Sequence, residues 1–348
     1  MNRPRTISIP LARPDLTLED LESLTALDAP WREDPALISR WEAIWSRTWG
    51  RPALAFRNLH CALQCLAKAQ RWSIDTTIWT TPLLPHHWHE ALDGTGLTRR
   101  MVAINPETGH TLPTMNHRDP YAITTVHHHA GAPHPKPDHP TRFILESIDD
   151  TPIPSPKCGW GTVQIAAPQG DHIITGGGCV VLSMDHTLID HMRDHRAHTP
   201  CSAVCTLGIT QMGRIRKTLQ ARLERAEQYM RMRPHGYFKM PQKSVQGRSW
   251  GGFTLYLPNQ MMRDALRRFL QEAGIGADGP AWSTHTPSHQ KIEIPGLQSY
   301  LERTLVLPLY ASLTSGDQKR IINRIHRWAE RTKKASQQPS RPAGEATS

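Results

Sequence analysis

The chain has 348 residues, 38% hydrophobic and 21% charged, with a formal net charge of +10 at pH 7. That length can bury a full core divided between one large and one small unit. No apolar run approaches the roughly 20 residues of a membrane span, and the scattered Lys and Arg carry no helix-turn-helix, zinc-finger or RNA-binding signature, so neither a membrane nor a nucleic acid is expected as partner.

Arg3 and Arg5 stand without an apolar stretch behind them, so no secretory leader is expected. Six cysteines in a chain of this length set no disulfide framework, and a reduced, cytoplasmic setting follows. Residues 35–49 read as an amphipathic helix, with Leu37, Trp41, Ile44, Trp45 and Trp49 at helical spacing. Its tryptophans fit core or interface packing. A short strand over 53–56 leads through a turn at 57–60 into a helix over 61–69, a βα step. Residues 142–146 and 179–183 are apolar runs short enough for buried strands, and Gly176 to Gly178 make a turn. Strands alternating with helices predict a mostly parallel α/β sheet, with a ligand cleft at the carboxyl ends of its strands. The basic run Arg214, Arg216, Lys217, Arg222 and Arg225 reads as a solvated helix face relieved by Glu224 and Glu227. From Lys333 onward the composition is that of a disordered tail.

Histidine is abundant, with 20 copies that include His127 to His129, His86, His87 and His89. Such clusters suit either a metal site or the filling of a polar cleft, and no tight ligand spacing chooses between them. Cys61 and Cys65, like Cys201 and Cys205, are spaced to share one helix face. Buried small hydrophobes are the default for such residues, with metal ligation as the alternative. Cys61, close to a helix start, is placed for a lowered pKa.

Residues 161–178, GTVQIAAPQGDHIITGGG, resemble the cofactor-anchoring segment of the DegT/DnrJ/StrS-type sugar aminotransferases. Residues 9–17, 210–229, 263–276 and 307–318 resemble, in order, the family's opening segment, its long connecting helix, the start of its small domain and its C-terminal signature. The resemblance runs from about residue 9 to about residue 328. It implies an α/β aminotransferase-like fold with a mostly parallel sheet in a large domain and a smaller α+β C-terminal domain. The corresponding bounds are a large domain over 1–205, a connecting helix over 206–233, a small domain over 234–332 and the tail over 333–348.

Carried over residue by residue, the resemblance implies a lost pyridoxal-phosphate site. Asp171 stands where the family keeps the lysine that holds the cofactor as a Schiff base, and a carboxylate forms no such bond. The phosphate-binding Gly-Thr pair falls on Leu59 and His60, the partner of the pyridine nitrogen on Ser147, and the phosphate-binding serine on Ala166. The stacking aromatic falls near His86. His60, His86, Asp150 and Asp171 would line the emptied pocket, with His127 at a neighbouring strand end. The segment between Arg193 and Ser202 is short of the hairpin that lends an asparagine across the family dimer.

These positions imply no catalytic residue, no metal, and pyridoxal phosphate at most noncovalently bound. The expected role is a noncatalytic binding or regulatory subunit, as a homodimer or a heterodimer with a homologous aminotransferase, and with a small-molecule ligand. Trp41, Trp45 and Trp49 would offer apolar area for the dimer. The alternatives are an active nucleotide-sugar aminotransferase, or a repurposed pocket in which Asp171, His172 and His86 do acid–base or metal chemistry.

Overall fold

Helices α1 (Leu18–Thr25) and α2 (Pro35–Trp49) come first in a computed structural model that describes residues 7–112, 122–136, 143–169, 172–232, 236–241, 248–280 and 293–337. The sequence of α2 explains its limits. The Asp34 side chain accepts from the amides of Ala36 and Leu37, Pro35 presets the first turn, and Gly50 stops the helix in the left-handed region at φ 65°. Trp41, Trp45 and Trp49 lie on its buried face. The first two rings meet edge-on at 5.5 Å, and the Trp49 indole donates to the Pro152 carbonyl at 3.2 Å. These rings are spent in the chain's own core, so the interface role that the spacing allowed is corrected. Gly208 makes the packing feasible, because a Cβ there would meet Trp41 at 2.6 Å.

The large sheet is built from β1 (Ala53–Phe56), β2 (Thr77–Thr80), β3 (Thr98–Met101), β4 (Ile123–His127), β5 (Phe143–Ser147), β6 (Val163–Ala166) and β7 (Cys179–Leu182). Its order is β1-β7-β6-β5-β4-β2-β3. All pairings from β6 outward to β3 are parallel, and β7 alone runs against both its neighbours. Successive residues serve opposite faces. Leu54 and Val181 pack with α3 (Leu59–Ala69), α4 (His86–Asp93) and α5 (His186–His195), whereas Ala55, Val180 and Leu182 pack with the tryptophans of α2.

The expected long connecting helix is two helices, α6 (Ser202–Gly213) and α7 (Ile215–Met230), broken at Arg214. A second unit follows, with β8 (Phe253–Tyr256) antiparallel to β9 (Thr304–Leu307) and packed by α8 (Gln260–Gln271), α9 (Leu297–Arg303) and α10 (Ser315–Gln337). Its core includes Tyr229, Phe253, Leu266, Ile321 and Trp328. Ile9 belongs to that core too, and the Gly276 amide donates to its carbonyl at 2.7 Å. The N-terminal segment, which the sequence reading placed in the first unit, is thus anchored in the second. Helix α10 runs through Gln337, so residues 333–337 are helical where composition suggested tail, and 338–348 lie outside the described residues.

Arg216 and Lys217 of the basic run are exposed as the solvated-face reading expects, but Arg222 departs from it. It is 1% exposed, with Nη2 and Nε donating to Asp15 Oδ2 at 3.0 and 3.2 Å and Nη1 to the carbonyls of Trp250 and Leu309 at 3.2 and 3.3 Å. Arg214 likewise pairs with Asp20. Among the described residues no helix is long and apolar enough to cross a membrane.

Candidate functional site

A cleft opens at the carboxyl ends of the parallel strands, where such sheets place their ligands. His127 ends β4, Asp150 follows β5 and His172 follows β6, while Pro85 precedes α4, and Arg13 and Tyr310 close the cleft from the second unit. The β4–β5 register sets His127 opposite Ser147, and its Nδ1 lies 3.0 Å from the serine Oγ. Burial first, then the neighbouring His129, pushes the His127 imidazole well below its ordinary pKa, so the ring is neutral. Its Nε2 is shut off from solvent and has no partner among the described residues.

Beside it Asp149 is fully engaged. Oδ2 accepts from the Trp88 indole at 2.6 Å, Oδ1 accepts from the Ala167 amide at 2.6 Å, and His87 Nε2 lies 3.6 Å from Oδ2. Burial alone would raise this carboxyl, but His87, His172 and the Ala167 amide outweigh it and hold the group ionised far below the usual range. The His87 and His172 rings stand 5.8 Å apart.

The structure brings Asp150, His127 and His172 together as expected sites of the cleft, and it separates others. His86 is a surface residue whose Nδ1 lies 3.5 Å from Glu90, and His87, one position on, faces Asp149 instead. His60 is exposed on α3, its ring over Gly94, and lines no part of the cleft. Ser147 is buried against His127. Ala166 places its methyl in the tryptophan-side core. Asp171 lies outside the described residues. Sequence reasoning missed Trp88 and Asp149 and named His87 only within a histidine cluster. The available signal was Asp149, a carboxylate in the turn directly after β5, at the carboxyl end of a parallel strand.

The cysteine pairs do not converge within the chain. Cys65 packs in the α3 core and donates to the Met192 carbonyl at 3.1 Å, with burial pushing its thiol up to about 11, while Cys205 packs in the opposite core with its thiol pushed up to about 12. Among the described residues no group of three or more His, Cys, Asp or Glu is arranged to hold a metal.

A covalently held pyridoxal phosphate needs an amine, a carboxylate for its ring nitrogen and an anion cradle at a helix start. Among the described residues lining the cleft there is no lysine. The position resembling the nitrogen partner carries the Ser147 hydroxyl beside a neutral imidazole, and both Asp149 oxygens are taken. At the start of α3 the Asn58 side chain already accepts from the Cys61 amide at 2.9 Å, so one amide of that cradle is used. The described residues do not fit a covalently held cofactor of that kind.

Residues 201–326 match the model of the DegT/DnrJ/EryC1/StrS aminotransferase family. No curated protein matches the sequence. The fold is similar to that of the aminotransferase TlmJ from Streptoalloteichus hindustanus, with TM-score 0.79 and 16% identity over 93% of this chain and 100% of that one. Helicobacter pylori PseC, an aminotransferase of pseudoaminic acid biosynthesis, gives TM-score 0.79 and 17% identity over 93% of this chain and 99% of its own. The pyridoxal-phosphate form of the putative sugar aminotransferase Spr1654 from Streptococcus pneumoniae gives 0.80 and 12% over 93% and 99%.

Proposed function

We propose that this chain, which belongs to the DegT/DnrJ/EryC1/StrS aminotransferase family by its fold and its residues 201–326, is a binding or regulatory subunit that forms no Schiff base with pyridoxal phosphate. The observation that carries the reading is the closed network of Asp149 with Trp88, His87 and the Ala167 amide, where the family's cofactor chemistry would need open groups. The sequence adds Asp171 at the position resembling the lysine. The neutral, buried His127, which lines the cleft with Asp150 and His172 and whose Nε2 has no partner among the described residues, supports a small polar ligand there. Six free cysteines suit a cytoplasmic setting.

Added pyridoxal phosphate is expected to give no visible absorbance band and no borohydride-fixed adduct on any lysine, and glutamate is expected to donate no amino group to keto-sugar nucleotides. A mapped lysine adduct would overturn the reading. Asp171→Lys restores no transfer, because Ser147 and Ala166 remain.

The subunit works as a homodimer or with a homologous aminotransferase. With the α2 tryptophans buried, the apolar area available for contact includes Trp31 and Met261, 83% and 73% exposed. Sedimentation is expected to show a dimer alone or on adding the partner, and a strictly monomeric chain in both cases would defeat this part. A second reading, acid–base chemistry in a repurposed pocket, is favoured by the approach of His87 and His172 to Asp149. It calls for ligand turnover that disappears in His87→Ala and His172→Ala.

A further inference from the structure

We propose that a second cavity, between the turn at residues 105–110 and β8, is a binding site for the phosphate group of a small phosphomonoester or for inorganic phosphate. The cavity measures about 220 Å³ and is bounded by that turn, by His129, Ala130 and Ala132, by Thr254 and Tyr256, and by Arg303 at the end of α9. It is separate from the cleft at the strand ends. The two share one wall, where the His127 ring faces the cleft and the His129 ring, 6.1 Å away, faces the cavity.

Charge is the first argument. Among the described residues, Lys239, Arg248 and Arg303 line the cavity against the single carboxylate of Glu107, which stands 3.9 Å from Lys239. Two positive charges are left uncovered, and a phosphomonoester carries about −1.5 to −2 at neutral pH. A monocarboxylate would balance only half of that. The neighbouring imidazoles add none. Burial, then surrounding imidazoles and Arg248, takes His110 down to about 3, and burial followed by Arg248 takes His129 down to about 4, so both are neutral at pH 7.

Geometry is the second. The Arg248 guanidinium stacks on the Trp250 ring at 4.1 Å from its centroid, which occupies its flat face and leaves its N–H edge for an in-plane acceptor. Its Nε is shut off from solvent without an acceptor, and no carboxylate pairs with the group among the described residues. An anion would offset the partial desolvation of this half-buried cation, which already pulls the guanidinium down to about 10. Arg303 spends its Nε on the Leu257 carbonyl at 3.2 Å, and its terminal nitrogens meet no protein acceptor among the described residues.

The arginine is also held in advance. The Ser249 amide donates to the Gly131 carbonyl at 3.1 Å, and the Ser249 hydroxyl donates to the Asp150 carbonyl. Gly131, at φ 70°, has to be glycine for this, since a Cβ would meet Ser249 Oγ at 2.4 Å and the Trp250 amide at 2.8 Å. Ala130 beside it takes the left-handed region at φ 51°, unusual for a residue with a side chain. Strain kept next to an unsatisfied cation is a mark of a binding site rather than of a packing accident.

The test uses the full chain, free of pyridoxal phosphate, in calorimetric titrations with inorganic phosphate, a sugar monophosphate and succinate at matched ionic strength. Saturable phosphate binding is expected, weakened at least tenfold in Arg248→Met and severalfold in Arg303→Met, partly kept in Arg248→Lys, and unchanged in Arg216→Met on the exposed face of α7. Tighter binding of the sugar monophosphate would identify a phosphorylated small molecule as occupant, and equal binding would identify free phosphate. In phosphate-free buffer Arg248→Met is expected to melt no lower than the parent chain, because it removes an uncompensated cation. A lower melting point there, together with unchanged phosphate affinity, would make Arg248 a structural residue and end the proposal. So would binding of succinate alone, or phosphate binding lost in Arg13→Met but kept in Arg248→Met, which would move the anion into the cleft.

Discussion

Arg222→Met is expected to destabilise the folded chain by about 3–5 kcal/mol, the range for stranding one member of a buried ion pair. The guanidinium touches Asp15 twice and three backbone carbonyls in all, those of Trp250, Gly251 and Leu309. Its removal leaves the Asp15 carboxylate, 7% exposed, with the Ala311 amide as its remaining donor. The damage reaches function as well, because Asp15 fixes the segment whose Arg13 lines the cleft. Urea unfolding measures the loss, and Asp15→Asn combined with Arg222→Met should recover a large part of it by removing the stranded charge. Equal losses in the single and double variants would show that packing, not charge, sets the cost.

Sequence reasoning read α2 and the buried strands well because their information is local. Apolar spacing, an Asp-Pro start and a left-handed Gly stop lie within α2 itself and its two neighbours. Alternation within β7 likewise assigns Val180 and Val181 to opposite faces. The site was legible only as far as strand ends could be placed. His127 and Asp150 follow from where β4 and β5 stop, but the choice between His86 and His87 depends on the rotation of α4, which the prolines before it obscure. The bond from Trp88 to Asp149 joins residues far apart in the chain, so no window of sequence carries it. Arg222 was misread by residue type alone, although its spacing from Ile215, Ala226 and Tyr229 puts it on the buried stripe of α7.

Acidification is expected to destabilise the protein sharply between pH 6.5 and about 4, before most carboxylates titrate. Burial is the main cause in each of three imidazoles near the wall between cleft and cavity, taking His110 down to about 3 and His129 and His134 to about 4. In the unfolded chain each would titrate near the ordinary 6.5. Over that window the unfolded state binds protons that the folded state refuses, so stability is complete above pH 6.5 and falls as the pH drops, by up to about 1.4 kcal/mol per pH unit for each imidazole. The depressed carboxyl of Asp149 has a different window. Its stabilisation holds above the ordinary 3.8 and is lost only in stronger acid, so it leaves the first transition unmasked. Urea midpoints measured from pH 7.5 down to 4.5 should fall steeply in the parent chain and less in His129→Gln and His134→Gln, and a flat profile over that range would refute the burial argument. Arg248 depresses both His110 and His129, so Arg248→Met is expected to soften the acid transition. Saturating phosphate should do the same in the parent chain, because an anion beside that guanidinium cancels the smaller, repulsive share of a depression that burial dominates.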